Sequence, residues 1–176
     1  MRRVLSSLVI GGVVVGAVVG CDAESGTPVA TSSAPAPLWD PCSEIPDDAI
    51  RAVGVDPATE ELGIGGVHQS GWEICRWRGG DKYSVAVFST ARTVSEFEQK
   101  PGQVDFRDVT IADRTGRQFK VEGASMDLRC DVLFPAQQGV VQISIMNRAS
   151  LEPEELEDPC VYAQRVGEVF VPLFPS

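Results

Sequence analysis

The chain of 176 residues contains one histidine, His68, and only three lysines against twelve arginines. A single His gives a His-rich zinc site no material and a Ser-His-Asp constellation little. Cysteine occurs five times but never as C-x-x-C, and Cys42, Cys75, Cys130 and Cys160 lie at least 30 residues apart in sequence. That spacing argues against a dithiol redox centre and against a cysteine-rich metal site. The glycine-rich stretch LGIGGVHQSG, residues 62–71, lacks both G-x-G-x-x-G and a P-loop lysine. It is expected to follow no strand, so it reads as a polar loop and not as a phosphate cradle. Basic charge is also scarce, with 15 basic against 25 acidic residues and a net charge of −10. Such a chain repels phosphate backbones, which argues against nucleic acid as a partner.

What is present begins with an N-terminal address. The segment MRR is followed by VLSSLVIGGVVVGAVVG and then Cys21. A basic start, an uncharged apolar run and small residues before a break read as an export signal over residues 1–20. The run ending in Val-Val-Gly-Cys resembles a bacterial lipoprotein signal, with Val18 where Leu is commonest. The resemblance implies cleavage before Cys21 and attachment of lipid to its sulfur, palmitate included. The competing reading is an uncleaved anchor, since the apolar run approaches the roughly 20 residues of a membrane span. Removing residues 1–20 takes away Arg2 and Arg3 and no acid, leaving 13 basic against 25 acidic residues, or −12. An acidic surface is repelled by anionic lipid, so the lipid anchor must hold the protein at the membrane.

The next stretch, DAESGTPVATSSAPAP, contains small residues, Pro, Ser and Thr and no large aromatic. It cannot build a core and reads as a flexible linker over 21–38, starting at the lipidated Cys21. A single domain then occupies 39–176, a size with room for one core. Hydrophobic residues make up 43% of the chain, ordinary for a globular protein.

Four cysteines remain in the domain, and an even number in an exported chain reads as two disulfides. Three connectivities are possible. Cys42–Cys75 with Cys130–Cys160 is favoured, because sequence neighbours are more often spatial neighbours. Two of these cysteines sit in repeated Asp-Pro-Cys tripeptides, LWDPC at 38–42 and LEDPC at 156–160. Asp is a strong N-cap and Pro is favoured at the first helical position, so each copy reads as a helix start. Cys75 and Cys130 fall at core-facing positions of alternating strands, so each bridge would staple a helix start to a sheet. A thiolate in a first helical turn could instead be reactive, but the spacing disfavours that.

Periodicity predicts a helix over 43–53, ended by Gly54, and a long loop over 56–71. WEICRWRG and KYSVAVFST, separated by Gly79-Gly80-Asp81, predict a hairpin over 72–78 and 82–90. VSEFEQ reads as a short helix, with Thr93 and Glu96 at capping-box spacing. Strands are expected at 104–111, 116–121, 126–134 and 139–146. In the third, Met126, Leu128, Cys130, Val132 and Phe134 alternate with Asp127, Arg129 and Asp131, the pattern of a half-buried antiparallel strand. A terminal helix begins at Asp158. The expected fold is therefore α+β: a twisted antiparallel sheet of five to six strands, with N- and C-terminal helices on one face and two disulfides. The other face, bearing Arg76, Arg129 and Asp131, would be wet.

Other candidates carry less. His68 reads as an exposed loop residue. The acid pairs Asp47-Asp48, Glu60-Glu61 and Glu154-Glu155 read as solvated surface, and EPEELED at 152–158 as a patch of negative charge favourable before a helix N-terminus. Trp39, Trp72 and Trp77 could line a ligand pocket. Trp77, two residues from Cys75, reads as core beside a disulfide.

WDPCSEIPDDAIRAVGV, then CRW in a strand, then a cysteine-bearing strand, then DPCVYAQRVGEVFVPLFP together resemble the actinobacterial lipoproteins of the domain of unknown function 3558 family. The first helix, SEIPDDAI, is poorer in Leu than the family's. The resemblance implies a cell-surface location, an α+β fold and paired cysteines. It brings no catalytic residue and no cofactor. The functional expectation is a non-enzymatic binding or accessory module, anchored by lipid at the outer face of the cytoplasmic membrane and extracytoplasmic. Its partner would be an envelope lipid, a glycan or a protein. An enzyme of unobvious type and an accessory subunit of a transporter or sensor are the alternatives.

Overall fold

The computed structural model describes residues 37–123, 126–148 and 156–176. The expected signal, Cys21, nearly all of the linker, Glu154-Glu155 and most of EPEELED lie outside these residues. Among those described, no helix is long and apolar enough to cross a membrane.

The chain starts with two short helices, α1 (Pro41–Glu44) and α2 (Asp47–Ala52). They replace the single helix expected over 43–53, and the cause is Pro46. A residue before proline is pushed out of the helical region, and Ile45 accordingly sits at φ −92°, ψ 113°. Strand β1 (Asp56–Leu62) follows, where a loop was expected. β2 (Trp72–Gly79) and β3 (Tyr83–Thr90) form the expected hairpin. After α3 (Val94–Glu98) come β4 (Gln103–Ile111), β5 (Arg114–Val121), β6 (Arg129–Ala136) and β7 (Gly139–Asn147). Helix α4 (Pro159–Phe170) runs into a 3-10 turn, Val171–Leu173.

The strands make one sheet of seven, in the order β1-β2-β3-β7-β6-β5-β4, with every pairing antiparallel. It exceeds the expected five to six strands because β1 pairs with β2 at one edge. β1 escaped the sequence reading because DPATEEL carries no apolar alternation. It also means that a strand does precede the glycine-rich loop. The loop leads into β2 and not into a helix, so the phosphate-cradle reading gains nothing. Both edge strands have a register shift, Asp56/Glu61 in β1 and Val104/Arg107 in β4. Bulges, charges and Pro57 blunt these edges against pairing with another chain.

The main core lies on one face of the sheet. Cys75, Trp77, Val85, Val87, Cys130, Val132, Phe134, Ile143 and Ile145 point there, against Ile45 and Ile50 of the N-terminal helices and Ala163, Val166 and Phe170 of α4. The N- and C-terminal helices thus share one core, as expected, while α3 sends Phe97 to the opposite face, onto Phe119 and Leu133. Met126 and Leu128, expected in a strand, form a turn before β6.

Each Asp-Pro-Cys caps a helix. The Cys42 amide donates to Asp40 Oδ1 at 3.0 Å, and the Cys160 amide to Asp158 Oδ1 at 2.8 Å. The bridges are Cys42–Cys75 and Cys130–Cys160. Replacing Asp158 by Ala orphans a first-turn amide of α4, which packs against β6 and β7. It should cost about 1 kcal/mol of unfolding free energy by urea titration.

The capping box at α3 is complete: the Thr93 amide donates to Glu96 Oε2 at 2.7 Å, and the Glu96 amide to Thr93 Oγ1 at 3.3 Å. The bond from the Thr93 backbone, then that from its hydroxyl, holds the Glu96 carboxyl below its ordinary 4.5. Folding therefore favours the ionised form. Its contribution is complete above 4.5 and is lost as pH falls through the lowered value. Amides of α3 should exchange faster, after correction for intrinsic rates, at about pH 3 than at about pH 6. Glu96→Gln should flatten that dependence, and an unchanged pH profile in the variant would assign it to another group.

A candidate binding cleft on the second sheet face

Side chains opposite one another in the ladders share a face. One row across the second face reads Arg76, Ala86, Ser144, Asp131 and Phe119; the next reads Ile74, Phe88, Gln142, Leu133 and Arg117. The sequence made this face wet. The structure corrects that: Asp131 is fully buried, and Gln142 and Ser144 are nearly so.

Burial of a carboxylate needs a partner. Arg129, two residues earlier on the same face, supplies a fork. Its Nε donates to Oδ2 at 2.7 Å and its Nη2 to Oδ1 at 3.0 Å. Gln142 Nε2 adds a third bond to Oδ1 at 2.6 Å. The Arg129 side chain keeps part of its surface open, at 27% exposure. A basic group that lines the cleft is thus fixed by two bonds, neither of which uses its third nitrogen, Nη1.

Beside this ion pair is a cleft of about 340 Å³. Ile74, Phe88, Trp72 and Phe97 give it apolar lining, with Ile64 of the glycine-rich loop. Trp72 meets Phe88 and Phe97 edge-on, each at 6.1 Å between ring centres, so this lining is rigid. Arg129, Gln142, Lys100 and Gln103 line it with polar groups. Gln103 Oε1 is buried without a hydrogen-bond partner. A buried unpartnered acceptor is costly, so it is suited to accept from a ligand or a bound water. A smaller hollow of about 150 Å³ lies on the same face near Arg76, Arg78, Met146 and Arg148.

The residues singled out from sequence distribute as follows. Trp72 is in the cleft. Trp77 is buried in the core against Phe170, with its Nε1 donating to Glu60 Oε2 at 3.3 Å. Trp39 stacks edge-on against Phe174, bordering a separate hollow beside the β6–β7 turn. His68 is exposed, with Nε2 3.4 Å from Glu73 Oε1, and does not line the cleft. Asp47 pairs with Arg51 on the surface of α2 at 2.8 Å. Cys42, Cys75 and Glu60 offer ligand atoms within 4.8 Å of one another, but both sulfurs are joined to each other in the bridge, so neither is a thiolate. Lys100, Gln103, Phe88, Phe97 and Gln142 were missed. Phe88 carried a signal: a large aromatic at an alternate position of β3, opposite to Val85 and Val87. The others come together only through the register of distant strands.

A family model described as "Protein of unknown function (DUF3558)" matches residues 16–173. No curated protein and no solved structure matches the chain.

Proposed function

We propose, since this chain belongs to the family of proteins of unknown function 3558, that it is a non-enzymatic binding module of the cell envelope, using the cleft on the second sheet face. It is held at the outer face of the cytoplasmic membrane by lipid on Cys21, with the linker as its tether. The observation that carries the reading is the cleft: a hollow of small-molecule size, lined by aromatic and polar side chains together, beside the buried Asp131 carboxylate and its Arg129 fork. Concave hollows that join aromatic side chains to placed polar groups are a usual form of ligand sites. The adjoining carboxylate, Asp131, is committed to three bonds, and no histidine is among the described residues that line the cleft, which favours holding a molecule over converting it. Two disulfides support an oxidising compartment.

The test compares wild type with Phe88→Arg, which fills the cleft, and Lys100→Glu, an exposed change that leaves the core alone. Each is purified from native membranes, and bound molecules are identified by mass spectrometry. Wild type should carry a molecule that both variants lose while their circular dichroism stays native. Equal recovery from all three would move the site elsewhere. Turnover of envelope esters or peptides, abolished by a point mutation, would make the protein an enzyme.

A further inference from the structure

Exposed large apolar side chains concentrate at one place on this domain. Leu62, Ile64 and Val67 are 47%, 55% and 60% exposed. Gly63, Gly65 and Gly66 between them have φ of 68°, 61° and 76°, values that side-chain-bearing residues rarely adopt. The loop therefore presents apolar side chains to solvent, and Ile64 among them lines the cleft.

We infer that the cleft takes a single-chain anionic amphiphile, its acyl chain along Trp72, Ile74, Phe88 and Phe97 and its head against Lys100 and the open edge of Arg129. This rests on reading the cleft as the binding site. Volume sets the number of chains: about 340 Å³ is near the lower end of the ~300–1,000 Å³ of small-molecule sites, room for one chain and not for two. Ile64, exposed in the loop, adds apolar surface to the cleft for the far end of a longer chain. Charge sets the head. Lys100 is exposed and has no acidic partner among the described residues. Arg129 commits Nε and Nη2 to Asp131 and keeps Nη1. Two donors of positive charge in one cleft stand out in a chain of net charge −10, and charge-assisted bonds are the stronger ones. Gln103 Oε1, buried and unpartnered, accepts from a hydroxyl next to the head. A carboxylate and a phosphate monoester share this chemistry; only a glycerol-bearing head also supplies the hydroxyl.

The full chain in phosphatidylcholine nanodiscs, with empty discs subtracted, is titrated with decanoate, decanoyl lysophosphatidate, decanol and decylammonium. Tryptophan fluorescence and calorimetry are the readouts. Both anions should bind, decanol about tenfold more weakly and decylammonium more weakly still. Lys100→Gln should weaken decanoate toward decanol and leave decanol unchanged. Tighter lysophosphatidate than decanoate, equalised by Gln103→Leu, identifies the glycerol-bearing source; equal affinities identify the fatty acid. Decanol or decylammonium binding as tightly as decanoate overturns the inference. So does failure of every probe while native molecules still co-purify in a Phe88-dependent way, a result that keeps the cleft as the site. Probe binding that survives Phe88→Arg overturns the cleft itself.

Discussion

Replacing Cys130 and Cys160 together by alanine lowers the melting temperature by about 10 °C. The bridge closes a loop of 30 residues, and restricting the unfolded chain to that extent is worth about 3–4 kcal/mol. For a domain of this size each kcal/mol moves the midpoint by about 2–4 °C. Both cysteines are almost completely buried, between α4 and the centre of the sheet, so the lost sulfurs also leave a small void. Scanning calorimetry of the oxidised full chain and the double variant measures the difference. A shift under about 2 °C would mean that packing of α4 alone carries its attachment.

The second large effect belongs to the other face of the same strand. Arg129→Met strips a fully buried carboxylate of its fork and should cost about 3 kcal/mol in urea unfolding. Breaking a buried pair costs roughly 3–5 kcal/mol, and the lower figure applies because the Arg129 side chain is 27% exposed and solvent screens it. Pairing the change with Asp131→Leu should recover most of that loss, because no lone charge then remains inside. The double variant should stay folded and bind anionic probes poorly, which separates the pair's structural part from its part in recognition. A cost below about 1 kcal/mol for Arg129→Met would show that water reaches Asp131 when the arginine is gone.

Features set by a few adjacent residues were legible in the sequence. Asp40, Asp158 and the Thr93–Glu96 box cap helices because capping needs only a side chain two or three residues from the amide it receives. The β2–β3 hairpin followed from alternation and a glycine turn. What failed depended on neighbours far away in the chain. β1 is a polar edge strand that exists because β2 offers it a ladder. Asp131 read as a solvent-facing member of an alternating strand. Phe97 and Phe119, from α3 and β5, meet at 6.2 Å between ring centres and help close that face. The cleft joins residues from β2, β3, α3, β4, β6 and β7, and no local pattern announces such a meeting. Pro46 was a readable break, outweighed by apolar residues at helical spacing on either side.

The pattern of bridges has a kinetic consequence. Cys42 joins the next cysteine in the chain, and Cys130 joins the next after it. The sheet is two meanders, β1-β2-β3 and β4-β5-β6-β7, that meet along one seam where Thr90 pairs with Val140 and Tyr83 with Asn147. Neither bridge crosses that seam. A chain that emerges N-terminus first therefore presents the four bridged cysteines in pairing order, and Cys42–Cys75 can close before Cys130 appears. Oxidation in that order needs no reshuffling, which removes a step of seconds to hours. The slow event left is the zippering of two already stapled halves, whose contacts are the longest-range in the sheet.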